Sequence, residues 1–282
     1  MMMTKWILGT CVAVGLIAGI SIAVGGMFSP GVPSAVEDSG DSTMPGSSTA
    51  TASSTTGAEA DPEQPVGASA LQQASQADKY LFAMFWQHEN EQAAAMKQVV
   101  ARTAEMSEQA DAVLVQVTNP AEREFVRQFR ISPAQTPLIL VIAPNGAVTG
   151  GFSHPCEPQD LLDAFTSPAM AAALLPLQEG RLVLLCVQND STDLNDEAMR
   201  GVRDFANDPN YGKLVEVVML DPQDSAEKSF LRDLRIDPQV SIAMTALLLP
   251  PGSVGTVLEG ETTKELLLAA LQACGPGGCG PR

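Results

Sequence analysis

The stretch from Glu122 to Phe165 recurs in similar form from Glu227 onward. Five residues of the first copy return at one constant spacing: Phe125, Arg127, Arg130, Ile131 and Pro133 match Phe230, Arg232, Arg235, Ile236 and Pro238. A repeat of this length indicates that one supersecondary unit is used twice. The sequence therefore predicts two similar domains in tandem, each of about 100 residues.

Local signals in the first copy give the order helix, hairpin, helix. Residues 119–122 (Asn-Pro-Ala-Glu) predict a helix start, with Asn as the cap, Pro at the first helical position and Glu122 reaching back to the cap. The apolar residues 138–143 predict a buried strand, and Asn145-Gly146 predicts a hairpin turn into residues 147–152. A last helix is predicted from Glu157.

Two short motifs carry a resemblance to a known family. Thr136-Pro137 lies between the first helix and the hairpin, and the apolar residues 80–86 end in a Phe-Trp pair. With these motifs, residues 78–165 resemble a thioredoxin-like domain, in which a Thr-Pro bond is cis and such a strand leads into the active site. The resemblance implies an α/β fold, a mixed central sheet flanked by helices, in each of the two tandem domains. It also implies a partner-binding surface at Thr136 and Pro137.

The second copy departs further from the family pattern. Residues 240–249 contain no proline. An ordinary trans loop is therefore predicted across residues 240–243, because a cis bond before a non-proline residue costs about 2.5 to 4 kcal/mol. The resemblance thus assigns partner binding to the first copy and makes the second a structural companion.

The place of the family's active site is degenerate in this chain. By the resemblance, Asn90 and Ala93 stand where the two cysteines of the family would be, after His88 and Glu89. Thiol exchange needs sulfur, and neither position supplies it. We therefore predict no catalytic residues and no cofactor. His88 with Glu89 is interpreted as a solvated first helical turn rather than a metal site, because a lone His lacks further ligands at a recognised spacing.

The remaining sulfur atoms support an alternative function. Cys156 precedes a predicted helix, whose N-terminus can lower the pKa of a thiol, whereas Glu157 opposes that effect. An unreactive loop cysteine is therefore the favoured interpretation of Cys156, and a reactive thiol is the alternative. Cys274 and Cys279 lie in a Gly- and Pro-rich tail. They could close a small disulfide, bind a soft metal with ligands from another molecule, or exchange with Cys156. The alternative is thus thiol-disulfide or soft-metal handling. Cys186, inside an apolar strand, is predicted to be an inert core thiol.

The N-terminal region predicts a membrane anchor. Residues 6–28 are apolar and uncharged, and at a rise of about 1.5 Å per residue they can span a bilayer. A cleaved secretory signal, with Ser21 and Ala23 as the small residues of its cleavage site, is the alternative and would give a secreted form. Lys5 before the span and acids after it predict a single-pass protein with a cytoplasmic N-terminus. The domains would then lie outside the cytoplasm, in a periplasm or at the cell surface.

Composition completes the predicted division of the chain. Residues after the anchor are Ser, Thr, Gly, Pro and Ala with few large apolar side chains, so no core can form there. A net charge of −17 without a basic stripe excludes nucleic acid as a partner. The favoured function is a non-catalytic, membrane-tethered tandem that binds a protein partner. The predicted segments are the anchor at 1–28, a disordered tether at 29–68, domain 1 at 69–167, a connector at 168–179, degenerate domain 2 at 180–273 and a flexible tail at 274–282.

Overall fold

The computed structural model describes residues 65–273, and these contain two four-stranded sheets that share one strand order. Domain 1 begins with a helix and then alternates strands and helices up to its hairpin. Its elements are α1 (Val66–Gln76), β1 (Tyr80–Trp86), α2 (Glu91–Met106), β2 (Ala110–Gln116), α3 (Arg123–Gln128), β3 (Leu138–Ile142), β4 (Val148–Phe152) and α4 (Pro158–Asp163). The sheet order is β2-β1-β3-β4, with β1 and β2 parallel and the other pairs antiparallel.

Domain 2 repeats this plan element by element. It comprises α5 (Pro168–Gln178), β5 (Leu182–Val187), α6 (Asn195–Ala206), β6 (Val215–Leu220), α7 (Lys228–Asp233), β7 (Met244–Leu249), β8 (Ser253–Glu259) and α8 (Lys264–Ala273). The order β6-β5-β7-β8 has the same parallel and antiparallel pairings. The predicted internal repeat and the predicted α/β class with two mixed sheets are therefore confirmed for the described residues.

Strand β1 is buried on both faces, as its unbroken apolar sequence requires. Leu81 and Phe85 point to the side that holds α1 and α3, where Phe125 closes the core. Phe82 and Met84 point to the side that holds α2 and α4. Helices thus cover both faces of the sheet, and the ends of its strands are left for the loops that could carry function.

Glu122 does not reach back to its own helix start, so that prediction was wrong. Its side chain is 1% exposed and accepts hydrogen bonds from the backbone N–H groups of Val66 at 2.6 Å and Gly67 at 3.1 Å. These are free N–H groups in the first turn of α1, which have no partner within the helix. Glu122 therefore caps a helix 55 residues earlier in the chain.

Glu227 makes the equivalent contact in domain 2, with one difference. Its Oε1 accepts from the N–H of Ala169 at 2.9 Å in the first turn of α5, and its Oε2 is buried with no partner among the described residues. Pro168 occupies the place that Val66 has in α1, and proline has no N–H. The missing donor explains the unpaired oxygen.

The stretch predicted as a connector, residues 168–179, is mostly helix α5, and this helix belongs to the core of domain 2. Ala173 and Leu177 pack on the sheet of domain 2. On another side of α5, Ala171 packs in a small apolar cluster with Ala143 and Ala147 of domain 1. A helix with apolar residues on several sides lacks the amphipathic pattern that marks a surface helix. The apolar sequence predicts that this stretch packs against one or both domains, which is confirmed, but it does not mark the stretch as the first helix of domain 2.

Polar contacts reinforce this junction between the domains. The Gln178 side chain accepts from the N–H of Val148 at 3.0 Å and donates to the Val148 carbonyl at 2.6 Å. The Asn145 side chain donates to the Ala171 carbonyl at 2.8 Å. Gln178 thereby satisfies backbone groups at Val148 in β4, the edge strand of the first sheet.

The matched arginines occupy two kinds of position. Arg127 and Arg232 are exposed on helices α3 and α7. Arg130 and Arg235 instead follow the helix ends in left-handed conformation, with φ of 53° and 59°. In both domains the next N–H bonds back to the last helical turn, which is the usual way for a left-handed residue to end a helix.

The predicted anchor at 6–28, most of the predicted tether, and Cys274 and Cys279 of the tail lie outside the described residues. The tether prediction extended to residue 68, whereas α1 begins at Val66. None of the helices within residues 65–273 is long and apolar enough to cross a bilayer.

Candidate functional site

Asn90 and Ala93, which stand at the position of the family's cysteine pair, lie at the first turn of α2, just after β1 ends. Asn90 is the N-cap of α2, and its Oδ1 accepts a hydrogen bond from the backbone N–H of Ala93 at 2.8 Å. The Ala93 side chain is buried, while His88 and Glu89 are exposed before the helix. The two residues that were predicted to replace a cysteine pair are thus bonded to each other, and their contact stabilises the helix end.

The Thr136–Pro137 bond is cis, as predicted. Phe85 of β1 pairs with Leu138 of the antiparallel strand β3. Trp86 follows Phe85 and Pro137 precedes Leu138, so Trp86 and Pro137 are neighbours at this end of the sheet. The first turn of α2 lies at the same end because it follows β1 directly. The structure therefore brings together the two motifs that were predicted separately. A second cis bond, Pro250–Pro251 in the turn between β7 and β8, was not foreseen.

A stacked lysine completes this surface, and sequence reasoning missed it. The Lys97 Nζ lies 3.4 Å from the centre of the Trp86 ring and 2.5 Å from Glu89 Oε2. Cations over a tryptophan ring are attracted by its negative face, and here the lysine side chain is only 19% exposed. Glu89 is 59% exposed, which agrees with its interpretation as a solvated charge, and it also pairs with Lys97. No group of three side chains able to hold a metal occurs among residues 65–273.

The loop between β4 and α4 packs against the first turn of α2. Gln92 Nε2 donates to the Ser153 carbonyl at 2.9 Å, and His154 is exposed next to it. Cys156 lies in the same loop and is half-buried against the apolar cluster below α2. Burial, followed by the nearby carboxylates of Asp160 and Glu157, raises the pKa of Cys156 to about 11. The helix N-terminus does not compensate, so this thiol is protonated at neutral pH.

We expect Cys156 to react with iodoacetamide at pH 8 about a hundredfold more slowly than an exposed cysteine with a pKa of about 8.5, because only the thiolate attacks. The rate should increase as the pH rises towards 11. Mass spectrometry of the Cys156 peptide measures this rate separately from the other thiols. The variant Asp160→Asn removes one cause of the shift and should speed the reaction. Alkylation of the wild type at the rate of a free thiol would contradict this account.

In domain 2 the corresponding surface is covered by the chain itself. The N–H of Asp193 donates to the Ser241 carbonyl at 2.8 Å, and the N–H of Ala243 donates to the Asp193 carbonyl at 2.9 Å. Asp193 thus forms an isolated bridge with Ile242. The register places Ile242 and Ala243 where domain 1 has Thr136 and Pro137. Within the described residues, domain 1 has no such bridge.

Two predictions for the second copy agree with the structure. Residues 240–243 contain no cis bond. Cys186 is 1% exposed in β5, and burial raises its pKa to about 12, which makes it the inert core thiol that was predicted.

Domain 1 has one parallel strand pair beside two antiparallel pairs, in the order β2-β1-β3-β4. A helix follows β1, and a cis proline precedes β3. Domain 2 keeps all of these features except the proline. The tandem has a thioredoxin-like fold.

Solved thioredoxin-domain structures resemble this chain only distantly. The first two thioredoxin domains of Saccharomyces cerevisiae Eps1p are 13% identical, with 72% of this chain and 92% of that chain covered and a TM-score of 0.28. The NTD_N/C domain of alkylhydroperoxide reductase AhpF from Enterococcus faecalis is 16% identical, with 72% and 98% covered and a TM-score of 0.25. Human ERp44 is 9% identical, with 72% and 55% covered and a TM-score of 0.31. No protein-family model and no curated protein matches the sequence. The thioredoxin-like assignment therefore rests on the strand order shared by the two sheets and on the helices that cover both faces of each sheet.

Proposed function

We propose that this chain is a non-catalytic, membrane-tethered tandem of thioredoxin-like domains that binds a protein partner outside the cytoplasm. One observation carries the proposal. Among residues 65–273, no bridge covers the surface at Thr136 and Pro137 in domain 1, whereas Asp193 covers its counterpart in domain 2. Because Asn90 and Ala93 provide no sulfur beside that surface, it is suited to binding and not to thiol exchange.

Domain 2 supplies an internal example of how an extended backbone occupies this position. There, the Asp193 N–H donates to a carbonyl and the Asp193 carbonyl accepts from Ala243. In domain 1 the residue equivalent to Ser241 is Gln135, whose carbonyl can accept from a partner in the same way. The residue equivalent to Ala243 is Pro137, which offers a half-buried ring in place of an N–H. The partner segment would therefore gain one backbone bond and one apolar contact.

The side chains around Pro137 add specific contacts. The Lys97 ammonium lies between the Trp86 ring and Glu89, which leaves the exposed carboxylate of Glu89 partly neutralised. His154 is exposed in the neighbouring loop. A partner would meet an apolar centre with a mixed polar rim, which is the usual composition of a protein interface.

The tether and the location belong to the same proposal. They are supported by the uncharged residues 6–28, with Lys5 before them and acids after them. The alternative, thiol-disulfide or soft-metal handling by Cys274 and Cys279 with Cys156, gains no support from the described residues. The raised pKa of Cys156 disfavours its use as a thiolate.

The test places a photo-crosslinking amino acid at position 136 of the full chain in its native membrane and, as the matched control, at position 242. Both side chains are half-buried at equivalent positions of the two domains. We expect a discrete adduct with another protein from position 136 and none from position 242, because Asp193 already bonds to the backbone of Ser241 and Ala243 that a partner segment would use. Equal labelling from both positions, or none from position 136, would contradict the proposed surface. Turnover of disulfides in insulin by the purified chain would contradict the non-catalytic part.

A further inference from the structure

A second surface lies between the two domains, away from Thr136. It is a groove of about 530 Å³ between helix α5, strand β6 and the turn that carries Asn145. Ala172 and Leu175 form its apolar wall, and Val217 and Met219 form its floor along β6. We propose that this groove binds an extended peptide segment of a partner protein, which adds to β6 as a further strand and carries apolar and basic side chains.

Strand β6 has backbone groups free to accept such a strand. Within residues 65–273 it is the edge strand of its sheet, and its one neighbour there is β5. The Leu220 carbonyl accepts from the N–H of Gln188 at 3.0 Å and so faces β5. Because the backbone groups of successive residues point to alternate sides, those of Val217 and Met219 face the groove. In the described part of the chain neither residue bonds elsewhere on that side, and groups with this spacing are satisfied by an extended backbone.

The two edge strands of the first sheet, β4 and β2, differ from β6. At the far edge of the first sheet, Gln178 already satisfies the N–H and carbonyl of Val148. On β2, Leu114 is 45% exposed and is the repeat equivalent of Met219, which is 49% exposed. Within the described residues, however, no hairpin lies beside α1 in the way that the Asn145 turn lies beside α5. The groove at β6 therefore combines an open strand edge with two walls.

Charge favours a basic segment over an acidic one. At one end of the groove the Arg181 guanidinium is hydrogen-bonded to Glu179 at 2.7 Å and to Glu216 at 2.7 Å. Two carboxylates around one guanidinium leave this end negative, and the whole chain has a net charge of −17. Such a field attracts basic partners and repels acidic ones.

The test measures binding of an acetylated and amidated hexapeptide that alternates valine and lysine to the full chain in detergent. We expect Met219→Lys to weaken binding about tenfold, because a lysine on the strand edge blocks pairing and repels the probe. The matched variant Leu114→Lys adds the same charge at the equivalent position of domain 1 and should leave affinity unchanged. An equal loss in both variants would show only general charge attraction and would overturn the proposal, as would an absence of binding.

Hydrogen exchange separates the proposed occupant from others. The amides of Val217 and Met219 should exchange rapidly in the free chain and slowly with the hexapeptide bound. Slow exchange without the peptide would mean that another part of the chain or a second copy fills the groove. Light scattering on the wild type and on Met219→Lys distinguishes those two outcomes, and either one would overturn the peptide assignment. Failure of the crosslink at position 136 would not affect this result.

Discussion

Replacing Gly201 with alanine is expected to destabilise domain 2 by about 3 kcal/mol, because overpacking against rigid backbone is costly. A Cβ atom at Gly201 in α6 would lie 1.8 Å from the Thr262 carbonyl oxygen and 2.4 Å from its carbon. Both are backbone atoms, so no side chain can rotate away. Thr262 is itself buried and hydrogen-bonded to Thr245 through their Oγ1 atoms at 3.2 Å, which holds the segment in place.

Urea unfolding of the wild type and the variant measures this effect. The matched control is Gly151→Ala in domain 1, where the new Cβ would lie 3.5 Å from Leu140 Cδ2, an ordinary contact. If Gly201→Ala unfolds within about 0.5 kcal/mol of the wild type, the size of an ordinary surface substitution, then α6 and the Thr262 segment are not in the close contact described above.

Glutamine is expected to be far more disruptive at position 122 than at position 227, although both glutamates are buried and equivalent. Both oxygens of Glu122 accept from backbone N–H groups. An amide would turn its NH₂ group towards one of those donors and cost about 2 kcal/mol. Within residues 65–273, Glu227 accepts through Oε1 alone and its other oxygen faces no donor, so Glu227→Gln should change stability by less than about 0.5 kcal/mol.

One further substitution should remove the difference between the two glutamates. Pro168→Ala restores an N–H where Val66 has one, and in that background Glu227→Gln should become as costly as Glu122→Gln. Unfolding free energies of the single and double variants form a cycle that isolates this coupling. If Glu122→Gln and Glu227→Gln have equal effects in the wild-type background, then the absent N–H of Pro168 is not what distinguishes the two glutamates.

Much of the fold was predictable because its signals are local or repeated. Asn145-Gly146 marks the hairpin with two adjacent residues, and the cis bond at Thr136–Pro137 follows from a short motif. The second domain could be placed because Phe230 and its neighbours repeat the first copy at constant spacing. Element order, sheet class and the degenerate position at Asn90 were accessible in this way.

What the sequence could not show depends on contacts between distant residues. Glu122 has the right position to cap its own helix, and only the folded chain brings it to the first turn of α1. Lys97 reaches Trp86 across the gap between a helix and a strand. The bridge of Asp193 with Ile242, which distinguishes the two candidate surfaces, likewise joins segments that carry no local signal for pairing.

Helix α5 also fixes which repeat copy comes first along the chain. Its side towards domain 1 carries Leu174 and Leu175, whereas the equivalent positions of α1 are Gln72 and Gln73, both exposed. A rearranged gene that placed the first copy after the second would bring glutamines to the junction and leave leucines facing water. A fragment cloned from residue 180 onward would lack its first helix. The junction therefore fixes the order of the two copies, and an engineered fusion must keep α5 together with both the hairpin of domain 1 and the sheet of domain 2.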